Sequence, residues 1–343
     1  MSERPVSGPA TARESALPAF LITIDVEGDN LWSHPRSVTT RNAEYVDRFQ
    51  RLCEEYDFRP TWLTNYEMIR SPTFRAFARD VIARDAGEIG MHLHAWDSPP
   101  IVPLTTDDKA THPYLIEYPA PIMREKIRVL TAMLEDALGT KMVSHRAGRW
   151  GFDGRYAEML IEEGYEVDCS VTPLVSWQAS TGDPRGSGGP DYRRFPKRPY
   201  WLDVRDISRA GDSPLLEVPV TIDAPLAGLS RFVPQVRPLP RTPWLRRTAW
   251  IRPARDNRRV IQHLIRRVVR ERRSYAQFML HSSELMPGGS PNFPSNRSVE
   301  NLYEDLRAIF SAARPHFHGA TLGAFRRSMA TASPPTERAQ AHS

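Results

Sequence analysis

The stretch "AFLITIDVE", residues 19–27, is a short apolar run that closes on two acidic residues two positions apart. A run of this length, entered from polar sequence and left through carboxylates, reads as a buried strand. Side chains alternate across a strand, so Asp25 and Glu27 project from one face at its C-terminal end. The core begins here. The Pro-, Ala- and Ser-rich residues 1–17 ahead of it read as a disordered leader, and they lack the apolar centre of a secretory signal.

Downstream, strand-like and helix-like segments alternate. The spacing of Tyr45, Phe49, Leu52 and Tyr56 predicts a helix over 42–56, and "RPTWLTNYEM" (59–68) predicts a second strand followed by a turn. A helix over 72–85 precedes a third strand, "GEIGMHLHAW" (87–96). A helix over 120–138, the strand "KMVSHRAG" (141–148), a helix over 153–164 and "YEVDCSV" (165–171) follow. Such alternation, with polar groups collected at strand C-termini, is the pattern of an α/β barrel or a doubly wound sheet. Pro-, Gly- and Arg-rich insertions interrupt it at about 176–255, with one returning strand in "PLLEVPVTI" (214–222). Residues 256–273 then place Val260, Ile261, Leu264, Ile265, Val268 and Val269 on one helical stripe covered by arginines. "SYAQFMLHSSELMPG" (274–288) is a further strand and loop, a closing helix fits 298–313, and residues 326–343 read as a disordered tail. The whole is expected to form one domain over 18–325.

Composition narrows the function classes. The chain is 343 residues long and 40% hydrophobic, enough to bury a full core, and it has no apolar run of a length, about 18 residues, that spans a membrane. Its two cysteines, Cys53 and Cys169, are too far apart to form a metal-type pair, which suits a reducing, cytoplasmic compartment. The formal charge of +5 and pI near 9.3 point to an anionic partner. Twelve arginines lie between Arg241 and Arg273, but no nucleic-acid-binding motif or stacking array accompanies them, so no specific nucleic acid is expected. The helix over 256–273 reads first as a surface helix packed on the core, and second as a basic face for peripheral contact with anionic lipid at the inner membrane face.

Strand spacing also brings chemistry together. Asp25 and Glu27 share a face, and so do His92 and His94. Two imidazoles and one carboxylate with open positions suit a divalent ion of the zinc, iron or cobalt type. A second, unligated carboxylate can take a proton from water as general base, and Asp25, deeper in the strand than Glu27, is the candidate. An isolated H-x-H is more often a pair of polar loop residues; the neighbouring motifs argue otherwise here.

Taken in order, "TIDVE", "EIGMHLHAW", "SHRAGRWGFD", "DCSVTP" and "FMLHSSELMPG" resemble the motifs of the polysaccharide deacetylases of carbohydrate esterase family four, over roughly residues 18–325. The subgroup they look most like is the cytoplasmic type associated with lipopolysaccharide and capsule biosynthesis. The resemblance implies a distorted (β/α) barrel and metal-assisted removal of an N-acetyl group from an amino sugar, nucleotide-linked, lipid-linked or otherwise anionic. It implies zinc as the metal, with iron, cobalt or nickel as alternatives. By the same resemblance Asp25 is the catalytic base, Arg146 the arginine that orients it, His281 the general acid, and Asp168 the carboxylate partner of His281. Glu27 and His92 are metal ligands; Trp96, Trp150 and Leu280 line the sugar or acyl pocket. The chain departs from the family pattern in three places. Val26 separates Asp25 from Glu27, Ala147 and Gly148 stand where a proline often follows the arginine, and Trp96 occupies the place of the second histidine. That leaves His94, or failing it His112 or Asp97, as the remaining ligand. A sugar N-deformylase would use the same residues on a smaller acyl group. A catalytically inactive sugar- or lipid-binding module is the other alternative, although such a module has no need of an acid opposite a base.

Overall fold

The computed structural model describes residues 17–29, 31, 37–180, 182–186, 188–224 and 248–332. Strand β1 (Ala19–Val26) is buried along its whole length and sets up two layers. Its even-numbered side chains, Phe20, Ile22, Ile24 and Val26, join the large core packed under the helices. Ala19 and Leu21 face the other way, into a smaller apolar cluster, and Thr23 and Asp25 continue that inner face toward the strand's end.

The chain then runs through α1 (Val46–Glu55), β2 (Thr61–Thr64), α2 (Tyr66–Arg70), α3 (Pro72–Ala83), β3 (Glu88–Leu93), α4 (Asp108–Thr111), α5 (Ala120–Leu138), β4 (Ser144–Ala147), α6 (Gly154–Glu162) and β5 (Val167–Asp168). Beyond these lie β6 (Tyr200–Trp201), β7 (Leu216–Glu217), β8 (Ile222–Asp223), β9 (Ala249–Trp250), α7 (Arg258–Arg270), β10 (Tyr275–His281), α8 (Asn296–Ala313), β11 (His318–Ala320) and α9 (Leu322–Ala332). The main sheet has the order β10, β1, β2, β3, β4, β5, β7, β6; β11 also pairs with β1, and every pairing is parallel except that of β6 with β7. It curls into a half-barrel with helices outside, the α/β barrel class expected from the alternation.

Local chemistry explains the helix ends. Ser71 caps α3 by accepting from the Phe74 N–H ahead of Pro72, and Asp153 caps α6 by accepting from Tyr156 N. Gly139 ends α5 in the left-handed conformation, φ 69°. The turn expected after β2 is the short helix α2, capped by the Asn65 side chain. In α7 the predicted stripe buries Ile261, Leu264, Ile265 and Val268, whereas Val260 is 42% exposed at the stripe's edge. Several arginines of this region are engaged within the fold: Arg258 pairs with Asp305, and Arg267 and Arg273 converge on Asp223.

The first residues of the tail expected from 326 are helical. Helix α9 runs to Ala332, and its Leu322 and Phe325 close the inner apolar cluster from below because they supply the apolar surface that Ala19, Leu21 and Tyr275 leave uncovered. The leader through residue 16, the stretch 225–247 of the insertion and residues 333–343 lie outside the described residues.

Candidate metal centre and catalytic cavity

Register builds the site. In the parallel pairing of β1 with β10, Asp25 stands beside His281; in that of β3 with β4, His92 stands beside Arg146. All four are at or next to strand C-terminal ends, the functional end of such a barrel. Glu27 lies one step past β1, held by Asn42 Nδ2 donating to its carbonyl (2.7 Å) and by Ser282 Oγ accepting from its N–H (3.2 Å).

Glu27, His92 and His94 bring one ligand atom each within 4.8 Å of one another, all three buried. His94 Nε2 is 3.3 Å from Glu27 Oε2, and His92 Nε2 is 3.8 Å from the same oxygen. His92 Nδ1 lies 2.9 Å from the Arg146 carbonyl. A carbonyl only accepts, so Nδ1 carries the proton and Nε2 presents its lone pair to the cluster, the tautomer a metal ligand needs. Burial pushes the His92 pKa down, but Asp25 and Glu27 outweigh it and raise the net value; a divalent cation held here would take the place of a proton on Nε2. Burial, then His92 and Arg149, hold His94 well below its ordinary range and keep it neutral. Two nitrogens and a carboxylate oxygen, converging without a sulfur, fit a divalent metal ion. Of the three candidates for the last ligand the cluster contains His94. His112 Nε2 faces Asp183 instead, at 3.7 Å, and Asp97 is not part of the group.

Gly148 allows this. A Cβ there would lie 2.3 Å from His94 Cδ2 and 2.4 Å from the Leu93 carbonyl, so only glycine lets the turn after β4 pass under the ligand. The turn that replaces the proline is then strained: Arg149 (φ 54°) and Trp150 (φ 64°) are consecutive non-glycine residues in the left-handed region.

Beside the cluster stands the candidate acid–base pair. Arg146, 0% exposed, donates through Nη1 to Asp25 Oδ1 (2.5 Å), through Nη2 to Thr23 Oγ1 (2.7 Å) and through Nε to the Cys169 carbonyl (3.2 Å). Burial pushes the Asp25 pKa up, but Arg146, His92 and His281 together outweigh it and hold the carboxyl below its ordinary range, ionised. His281 Nε2 is 3.8 Å from both Asp25 Oδ2 and Glu27 Oε1. Its Nδ1 is 3.3 Å from Glu284 Oε2 and 3.0 Å from Arg252 Nη2. Glu284 is buried, yet Arg252 and His281 bring its pKa down to about 2.

Two of the expected roles need correction. Asp168 does not reach His281: its Oδ1 is 2.6 Å from His145 Nδ1, and its Oδ2 accepts from Ser170 N. Val167 and Cys169 point into the inner cluster, so the residue between them must point outward, where β4 places His145 in register with it. Glu284 is the carboxylate at His281 Nδ1 instead. Its signal was its position three residues on, in the tight turn 282–285 that folds the side chain back on His281. Leu280 likewise neighbours His281 in a strand and therefore faces the helices; it is fully buried in the outer core, not in the cavity wall.

A cavity of about 420 Å³ opens over these groups. Trp96 and Trp150 line it as expected, and so do Lys109, Tyr114, Arg149, Trp177 and Arg252, which sequence reasoning did not single out. Trp96 stacks on His94 with centroids 4.5 Å apart, and Trp150 on Trp177 at 6.3 Å and 13°.

With this geometry described, solved structures give a direct comparison. A protein from Mycobacterium smegmatis assigned as a polysaccharide deacetylase shares 16% identity, with a TM-score of 0.51 over 97% of this chain and 95% of its own. One from Parabacteroides distasonis assigned as a glycoside hydrolase/deacetylase superposes with a TM-score of 0.59 at 9% identity, over 94% and 74%. The chain has the polysaccharide deacetylase fold. The same barrel is also used elsewhere: a branching enzyme from Thermococcus kodakaraensis matches at 10% identity and a TM-score of 0.50, over 90% and 71%. No family model matches the chain, and no curated protein matches it. Among the described residues no helix is long and apolar enough to cross a membrane.

Proposed function

We propose that the protein is a metal-dependent amide hydrolase that removes the N-acetyl group of an amino sugar, a precursor in surface polysaccharide or glycoconjugate assembly. One observation carries the reading: the ion pair Asp25–Arg146 and the imidazole of His281 lie beside the Glu27, His92 and His94 cluster, at the C-terminal end of a deacetylase-type barrel. A binding module has no use for a buried, charge-balanced base next to a metal cluster and an imidazole.

Glu27, His92 and His94 would hold the ion, and their two-nitrogen, one-oxygen set favours zinc. Such an ion, when bound, supplies Lewis acidity to water and to the amide carbonyl. The protein's own groups do the rest. Arg146 keeps Asp25 ionised and fixes its Oδ1, which leaves Oδ2 to take a proton from the attacking water. His281, its ring held at Nδ1 by Glu284 and Arg252, would pass a proton from Nε2 to the departing nitrogen. Trp96, Trp150, Trp177 and Tyr114, which line the cavity, would wall the sugar.

The test pairs two variants. Asp25→Asn should retain metal and lose acetate release from N-acetylated sugar precursors; His92→Ala should lose metal. Acetate release at the wild-type rate from Asp25→Asn, or full metal content in His92→Ala, would overturn the assignment. Release of formate rather than acetate from matched substrates would assign the same site to a deformylase.

A further inference from the structure

Most charges around the cavity are answered by a partner. Arg146 pairs with Asp25, Arg252 with Glu284, and Glu27 belongs to the metal cluster. Lys109 and Arg149 are different. Both line the cavity, and neither forms an ion pair with a carboxylate among the described residues. Lys109 Nζ reaches only the Leu31 carbonyl, at 3.5 Å, and the Arg149 guanidinium lies 5.9 Å from the Tyr114 ring centroid. Asp97, Asp107 and Glu27 act on Lys109 only at longer range, and Lys109 and Arg149 stand on the wall of the same cavity. Glu27, His92 and His94 line that cavity too, which puts the two cations in the same space as the metal cluster.

The backbone contributes to the arrangement. The left-handed residues Arg149 and Trp150 turn the chain so that a cation and an aromatic plane stand side by side on the wall, with Tyr192 Oη donating to the Trp150 carbonyl to hold the turn. Lys109 is half-buried and Arg149 exposed, and two cations on one cavity wall without an ion-paired carboxylate repel each other and gain nothing from a neutral sugar. They are stabilised when an anion sits between them, and an arginine fork suits planar or tetrahedral oxyanions.

We propose that Lys109 and Arg149 form an anion subsite, and that the substrate is an amino sugar carrying an acidic substituent, phosphate or carboxylate, close to its amide. This rests on the hydrolase reading above for the amide and adds the charge. The stacked faces of Trp150 and Trp177 would take the sugar ring while the acidic group turns toward Arg149.

The test compares N-acetylglucosamine, its anomeric phosphate and its uronic acid with the metal-loaded protein. The wild type should favour at least one of the two acids over the neutral sugar by about tenfold or more in kcat/KM, as loss of a charge-assisted hydrogen bond predicts. Which acid is favoured distinguishes phosphate from carboxylate. The advantage should shrink with added salt, and in the Arg149→Gln/Lys109→Gln double variant it should fall to within about twofold. The same three sugars titrated calorimetrically into Asp25→Asn give binding ratios that do not depend on turnover. A charge preference in binding without acyl loss from any sugar would keep the subsite and sink the hydrolase. Acyl loss with no charge preference, or a preference that survives the double substitution, would overturn the subsite and leave the hydrolase standing.

Discussion

Replacement of Arg146 by methionine isolates the electrostatic heart of the site. Methionine keeps much of the length and apolar volume of the arginine stem, so the change removes chiefly the guanidinium. That group is fully buried and makes three donations. Thr23 Oγ1 keeps a partner, because it donates to the Phe278 carbonyl at 3.1 Å. Asp25 loses its neutralising charge. Breaking a buried pair by removing one member costs about 3–5 kcal/mol, since the other charge stays desolvated. The Cys169 carbonyl, which accepted at 3.2 Å, adds up to about 1 kcal/mol if left unmet. The expected loss at neutral pH is therefore about 4 kcal/mol, measured by denaturant unfolding in the presence of a chelator so that metal binding does not contribute.

The pH dependence gives this prediction its sign. Asp25 has a folded-state pKa below its unfolded value, so the pair contributes fully above the unfolded carboxylate range, about 3.9, and the contribution is lost as pH falls through the folded value. In the methionine variant, burial acts unopposed by the guanidinium and raises the Asp25 pKa. The variant then takes up a proton on folding, and its deficit relative to wild type should shrink steadily as the medium is acidified. With metal present, the acid limb of kcat/KM should move to higher pH for the same reason. A deficit below about 1 kcal/mol at neutral pH, typical of a solvated pair, or one that does not change on acidification, would refute a desolvated base held ionised by Arg146.

Gly148→Ala should weaken metal binding by about tenfold or more without touching a ligand, because its Cβ would meet His94 Cδ2 at 2.3 Å; competition with a chromogenic chelator reads this, and unchanged affinity would count against His94 as a ligand. Glu284→Gln removes the carboxylate that both His281 Nδ1 and Arg252 Nη2 contact, so the ring loses its fixed orientation and kcat should fall by about tenfold or more with KM little changed; an unchanged kcat would remove Glu284 from the acid's environment. Leu280→Ala should cost about 2–5 kcal/mol of stability with KM little changed, whereas Trp150→Ala should raise KM with a smaller stability cost; the reverse pattern would return Leu280 to the cavity wall.

How far the sequence was legible follows from strand parity. Asp25 with Glu27, and His92 with His94, were paired by the two-residue repeat of a strand; Glu27, His92 and His94 form the cluster, and Asp25 lines the same cavity. The alternation of strands and helices likewise leads to the curled sheet, since each segment's period reports its own geometry. Asp168 and Leu280 came from motif resemblance, and for both the same repeat already pointed the other way. Leu280 is one residue from His281, and Asp168 one residue from the inward-facing Cys169, so neither can share its neighbour's face. Lys109, Tyr114 and Trp177 come from loops, whose course over the barrel mouth is set by tertiary packing rather than by any local period.

The outward turn of Asp168 has a consequence for the active arginine. Its Oδ1 accepts from Ser170 Oγ (2.9 Å), and Ser170 Oγ in turn accepts from the Ala147 N–H (2.8 Å). His145, on its other side, is bonded to Tyr156 Oη at 2.9 Å. This buried chain ties the end of β4 to β5 on both sides of residue 146. The backbone that aims the Arg146 guanidinium at Asp25, and offers its carbonyl to His92 Nδ1, is thus clamped from the outer face of the sheet. Asp168 thus bears on Arg146 and Asp25 through the position of β4, and not on His281, the partner that the motif resemblance gave it.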